Sequence, residues 1–95
     1  NYDNFKCFQV VLNQVTKITV NNPTGTTIAY GSTFDLIVLT DATIGRPTPA
    51  WGNKFAMDVT NKQIDPAASI RSVYQFRYEA DNLWHIRNFR TGDPA

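Results

Sequence analysis

The stretch "SIRSVYQFRYEADNLWHIRNF" (residues 69–89) decides the fold class. Its first eleven residues alternate, with Ile70, Tyr74, Phe76 and Tyr78 on one face and Arg71, Gln75, Arg77 and Glu79 on the other. A period of two marks a strand with one face on a core and one toward water. "ADN" (80–82) is a short run of turn formers of the kind that joins two strands of a hairpin. "LWHIRNF" then returns, with Trp84 and Ile86 on one face and His85 and Arg87 on the other. The reading is a β-hairpin with an aromatic inner face and a cationic outer face.

Upstream, the same alternation recurs. "FQVVLNQ" places Phe8, Val10 and Leu12 together, and "TKITV" sets Ile18 and Val20 opposite Lys17 and Thr19. "TFDLIVLT" reads as the central strand, and its near-continuous apolar run "LIVL" fits burial on both faces. "NNPTGT" (21–26) is dense in turn formers, with Gly25 free to take a positive φ. "DATIGRP" turns the chain, "NKQIDPAAS" (61–69) has room for one helical turn, and "RTGDPA" carries no pattern. No window shows a helical period.

These features predict an all-β fold over residues 1–95: a small antiparallel β-sandwich, jelly-roll-like, or a barrel, with about seven to eight strands. The expected core is Phe8, Val10, Leu12, Ile18, Val20, Phe34, Leu36, Val38, Trp51, Phe55, Tyr74, Phe76, Trp84 and Ile86.

Composition narrows the function classes. With 95 residues there is room for one small domain, and 42% hydrophobic content is enough for one core. A net charge of +1 argues against bulk electrostatic capture of nucleic acid or of a membrane surface. The apolar run "LIVL" is far too short to cross a bilayer, and no signal peptide is visible. The start at "NYDNFK" reads as a piece of something longer. A single cysteine, Cys7, forbids an internal disulfide and is expected as a buried structural thiol.

"GRPTPAWGNKF" (45–55) poses a separate question. Proline cannot donate to a sheet ladder, so Pro47 and Pro49 confine this segment to an edge strand or an extended approach. Extended, it puts Trp51 on the same side as both prolines, and Gly52 then lets the chain turn away. The preferred reading is that Trp51 plugs a β core. The alternative is an exposed ring that stacks on a sugar or a base.

Few residues are placed for chemistry. Asp35, in a strongly apolar run, would serve as an acid if buried and isolated, but no second carboxylate is placed by spacing to complete a glycosidase pair. One histidine and one cysteine cannot build a zinc site, and no phosphate loop, calcium loop or nucleophile motif occurs. The expectation is no enzyme, no metal and no cofactor. The candidate ligand-binding residues are instead Arg71, Arg77, His85 and Arg87 on the outer hairpin face, whose forked donors suit carboxylates and sulfates, with Trp51 and Tyr30 as a ring platform.

The ordered pieces "NPTG", "G-x-x-F-x-L-x-V" (31–38), "P-x-W-G-x-x-F" (49–55) and a final hairpin "F-x-Y…W" (76–84) resemble a module of phage tail-fibre, tailspike and related virion-appendage proteins. The similarity covers residues 15–89. Two prolines before Trp51 and a longer loop after Met57 depart from the pattern and bear on loop conformation more than on fold.

The resemblance implies a structural or receptor-facing domain of a virion, extracellular, associating as a homotrimer and facing a host-surface polysaccharide or receptor. It supplies no catalytic residue. The expected trimer contact takes in Tyr78, Arg87 and Phe89. The alternative is a carbohydrate-binding module attached to a polysaccharide-degrading enzyme.

Overall fold

The computed structural model describes residues 6–24 and 28–95. Within them, six strands and one helical turn follow in the order β1 (Cys7–Leu12), β2 (Thr19–Val20), β3 (Thr33–Thr40), β4 (Ala50–Trp51), α1 (Met57–Thr60), β5 (Ile70–Tyr78) and β6 (Trp84–Pro94). β1, β3, β5 and β6 form one sheet in the order β1-β3-β5-β6, and β2 and β4 form a second, two-stranded sheet. The protein is a small β-rich domain.

Several expectations are corrected. The chain is neither wholly antiparallel nor wholly β: β1 runs parallel to β3, β2 runs parallel to β4, and α1 is helical. Six strands replace the predicted seven to eight, in one mixed sheet beside a small one rather than a clear sandwich or barrel. A parallel neighbour cannot be reached by a tight turn. The chain between β1 and β3 therefore makes a long connection that carries β2 across the sheet. The helical turn falls at Met57–Thr60, ahead of "NKQIDPAAS". The tail "RTGDPA", which showed no pattern, belongs to β6 as far as Pro94. The expected positive φ of Gly25 lies outside the described residues.

The core lies on one face of the main sheet. β3 alternates strictly, with Phe34, Leu36, Val38 and Thr40 buried and the residues between them half-buried. Tyr74, Phe76 and Trp84 are almost fully buried beside them. The segment after β4 closes over this face with Phe55, Val59 and Ile64, and Ile18, Val20 and Trp51 of the small sheet pack at its margin. All fourteen predicted core residues are in this cluster or packed on it, and Val59 and Ile64 join them unpredicted.

Turns and loops are held by specific bonds. The hairpin closes with Glu79 N–H on the Leu83 carbonyl at 3.0 Å and Asn82 at φ 63. Within 41–46, Arg46 Nε–H donates to Asp41 Oδ1 at 3.0 Å and Nη2–H to Oδ2 at 2.8 Å. The same Asp41 Oδ1 accepts the Thr43 N–H, so one carboxylate fixes the whole turn. The Arg46 guanidinium, with the Thr43 N–H behind it, holds the Asp41 carboxyl below the usual range. Thr40 Oγ1 donates to the Ala67 carbonyl at 2.9 Å and accepts the Ile70 N–H at 2.8 Å, stitching β3 to the start of β5.

Candidate functional site

Trp51 sits inside the aromatic cluster. Its ring centroid lies 5.1 Å from Phe55, 5.0 Å from Tyr74 and 5.7 Å from Phe76. The edge-to-face angles to the last two are those aromatic quadrupoles prefer. This geometry is that of a plug. Its indole Nε1–H is buried and meets no acceptor among the described residues. Pro49, on the same side, is fully buried, so the stiff arm is part of the packing.

Gly52 owes its place to a close approach. A Cβ there would collide with the side chain of Asn22. Asn22 Oδ1 accepts the Lys54 N–H, and its amide donates to Asn53 Oδ1, each at 2.8 Å. Asn22 thus ties the end of β2 to the turn after β4. Tyr30 belongs to a different neighbourhood: 60% exposed, it leans on Tyr78 at 5.8 Å and donates to Asn82 Oδ1 at 3.0 Å. Trp51 and Tyr30 share no ring neighbour among the described residues, so they do not form one platform.

The four cationic candidates lie on the outer side of β5 and β6 but do not converge. Arg77 and His85 are cross-strand partners near the turn. Arg71 pairs with Asp93 at the other end of the hairpin, six residues and roughly 20 Å along the strand. Arg87 stands exposed at the irregularity between Gln75 and Phe76, where Asn88 and Ile86 take consecutive partners and Arg87 has none.

The charges near the turn are largely answered. His85 Nε2 lies 2.7 Å from Asp81 Oδ2 and Nδ1 lies 3.2 Å from Asp58 Oδ2, while Arg77 lies 3.6 Å from Glu79. An imidazole that donates to carboxylates from both nitrogens must carry both protons. The Asp81 carboxylate, with Asp58 behind it, accordingly holds His85 above the usual histidine range against a smaller opposing effect of burial. His85 in turn holds Asp81 below the usual carboxylate range.

Two further expectations are corrected. Cys7 is exposed on β1 rather than buried. It lies at the opposite edge of the sheet from His85 on β6, so the two do not meet. Phe89 packs against Tyr74 at 4.6 Å, on the core side, and is not a free contact ring. The irregularity after Ile86 shifts the alternation by one residue and turns Phe89 inward. Asp35 is half-buried on β3 between Cys7 and Gln75, with no second carboxylate beside it among the described residues. No group of three or more metal-ligating side chains occurs among the described residues.

What sequence reasoning missed is the outer face of the main sheet. Registers place Cys7, Asp35, Gln75 and Asn88 in one row. Gln9, Ile37, Val73 and Arg90 form the next, and Val11, Leu39, Arg71 and Asp93 the third. Of the described segments that leave the sheet, Ile18, Val20, Ile28, Trp51, Phe55, Val59 and Ile64 join the inner cluster, while Val15, Ile44 and Met57 stay exposed. The run "LIVL", read as buried on both faces, is therefore covered on one, with Ile37 and Leu39 half-buried and Val11 48% exposed on the other. A concavity of about 510 Å³ opens between β1 and β2, walled by Phe8, Val10, Ile18, Val20, Phe34 and Leu36.

No family model, curated protein or solved structure matches the chain.

Proposed function

We propose that the chain is a non-catalytic interaction domain working through the outer face of its main sheet. The observation that carries this reading is the apolar centre of that face, formed by Val11, Ile37, Leu39 and Val73 and framed by Asp35, Arg71, Gln75 and Arg90. Apolar area inside a polar rim is the composition of a contact surface. On the sequence resemblance, the domain serves in a virion appendage of the tail-fibre or tailspike kind. A carbohydrate-binding module built on Trp51 and Tyr30 gains nothing from the arrangement of those rings.

The test is the cost of a charge at the centre. A face kept for a partner tolerates Ile37→Lys with a stability loss below about 1 kcal/mol, as surface changes do. A face hidden within the folded protein would lose several times that, because a buried unpaired ammonium is costly. Urea denaturation of Ile37→Lys and Val73→Lys therefore decides whether the surface is open, and unfolding of both variants overturns the reading.

A further inference from the structure

The outer face carries opposite charges on opposite sides of its apolar centre. Ile37 and Val73 are cross-strand partners on antiparallel β3 and β5. Asp35 precedes Ile37 and Arg71 precedes Val73 by two positions each, so the strand direction throws them to opposite ends. Asp35 falls in the row beyond the pair on one side, opposite Gln75, and Arg71 in the row on the other, opposite Leu39. Neither side chain has a hydrogen bond or ion pair among the described residues, whereas Arg46, Arg77, His85 and Arg90 each have a carboxylate.

We propose that this face binds a second copy of the chain, related by a twofold axis that lies between the two sheets and crosses the strands at the Ile37–Val73 pair. Such an axis exchanges the two flanking rows. It sets Asp35 of each copy over Leu39 of the other, one strand spacing (about 4.8 Å) from Arg71 and within reach of that long side chain, and lays the Ile37 and Val73 side chains of the two copies against one another. One surface patch supplies both halves of the contact, as an isologous interface requires. Two ion pairs form at its rim and an apolar patch closes at its centre. A charge that has no ion pair among the described residues and is answered by symmetry gives the face a preferred partner, and that partner is itself.

The scale of the contact follows from the strands. Four strands at about 4.8 Å spacing and three rows along them make a patch on the order of 400 Å². A standard interface takes about 800 Å² from each partner, so association is weak. The proposal rests on the reading of this face as an interaction surface, but it fixes the partner and the geometry, which that reading leaves open. The threefold association implied by the resemblance to fibre modules is a different geometry and a different outcome.

Sedimentation equilibrium on the chain from about 10 μM to 1 mM tests it. The weight-average mass should climb toward twice the monomer mass. Asp35→Arg and Arg71→Asp alone should each raise Kd about tenfold or more, since each sets like charges face to face. The double reversal should restore Kd to within about threefold of wild type, a rescue that a merely structural role does not give. As a readout free of substitution, concentration-dependent amide shifts should concentrate at Ile37, Leu39 and Val73.

A chain that stays monomeric to about 1 mM overturns the proposal, as does a mass that converges on three copies. Single reversals that leave Kd unchanged, or a double reversal that fails to recover it, overturn it equally. None of these results unfolds Ile37→Lys, so failure here is separate from failure of the interaction-domain reading.

Discussion

At Trp51 three aromatic rings close around an indole whose N–H has no acceptor among the described residues. Two effects oppose each other there. Deleting the ring leaves a cavity, and Trp51→Ala should cost about 3–5 kcal/mol by urea denaturation. Trp51→Phe keeps much of the packing and removes the unpaired donor, whose burial carries a penalty of about 1–3 kcal/mol. Its loss should therefore be less than half that of the alanine variant. Equal losses would mean that the N–H is satisfied after all. Gly52 next to it adds a coupling test, because Gly52→Ala drives a methyl into Asn22. Overpacking of this kind costs about 1–3 kcal/mol. With Asn22→Ala in the background the two nearest atoms are gone and only the Asn22 backbone nitrogen stays close, at 3.0 Å, so the double variant should lose clearly less than the sum of the singles. Strict additivity would remove Asn22 as the reason for the glycine.

The hairpin of β5 and β6 is the element that the sequence declared most openly, and it also shows where legibility ends. Strand periodicity located Tyr74, Phe76, Trp84 and Ile86 on the core side because the period of two holds as far as Ile86. Beyond it, two register shifts, between Gln75 and Phe76 and between Arg71 and Val73, each break the alternation. That is why Phe89 read as a surface ring and "RTGDPA" as no strand at all. The ion cluster of His85, Asp81 and Asp58 was equally hidden, since Asp58 comes from α1 and only packing at the β6 edge brings it within reach.

That cluster gives the hairpin a pH dependence. His85 is raised in the folded state, so its contribution is complete below its ordinary value of 6.5 and fades as pH climbs through the higher folded value. Asp81 is lowered, so its contribution is present above 3.8 and fades as pH falls through the lower folded value. Stability should thus be greater near about pH 5.5 than near about pH 8.5, and His85→Gln should remove most of that difference. A His85→Gln variant with the wild-type difference intact would place the pH dependence elsewhere.

For the whole molecule, the composition of strands was legible but their pairing was not. Periodicity says which residues share a face and nothing about the neighbour a strand takes. The parallel partnership of β1 with β3 was therefore invisible, although every inner apolar residue of both strands was identified and only the buried Thr40 was not. The apolar run "LIVL" was read as buried on both faces, where the structure leaves Ile37 and Leu39 half-buried on the face away from the core.

The same pairing sets the folding kinetics. Most close contacts join residues far apart in sequence, since Cys7 pairs with Asp35 and Phe34 with Phe76. Loop closure must be met before such contacts stabilise anything, so refolding should take milliseconds to seconds rather than microseconds. The β5–β6 hairpin is the most local long-strand pair, whereas β1 is an edge strand that joins the sheet only through β3. The hairpin should therefore be formed in the transition state and β1 added late. Ile86→Val is expected to slow folding with little change in unfolding, while Val10→Ala is expected to speed unfolding and leave folding nearly unchanged. Stopped-flow fluorescence of Trp51 and Trp84, both packed in the cluster, reads both limbs. The opposite assignment of the two variants would show that the parallel pair, and not the hairpin, organises the sheet.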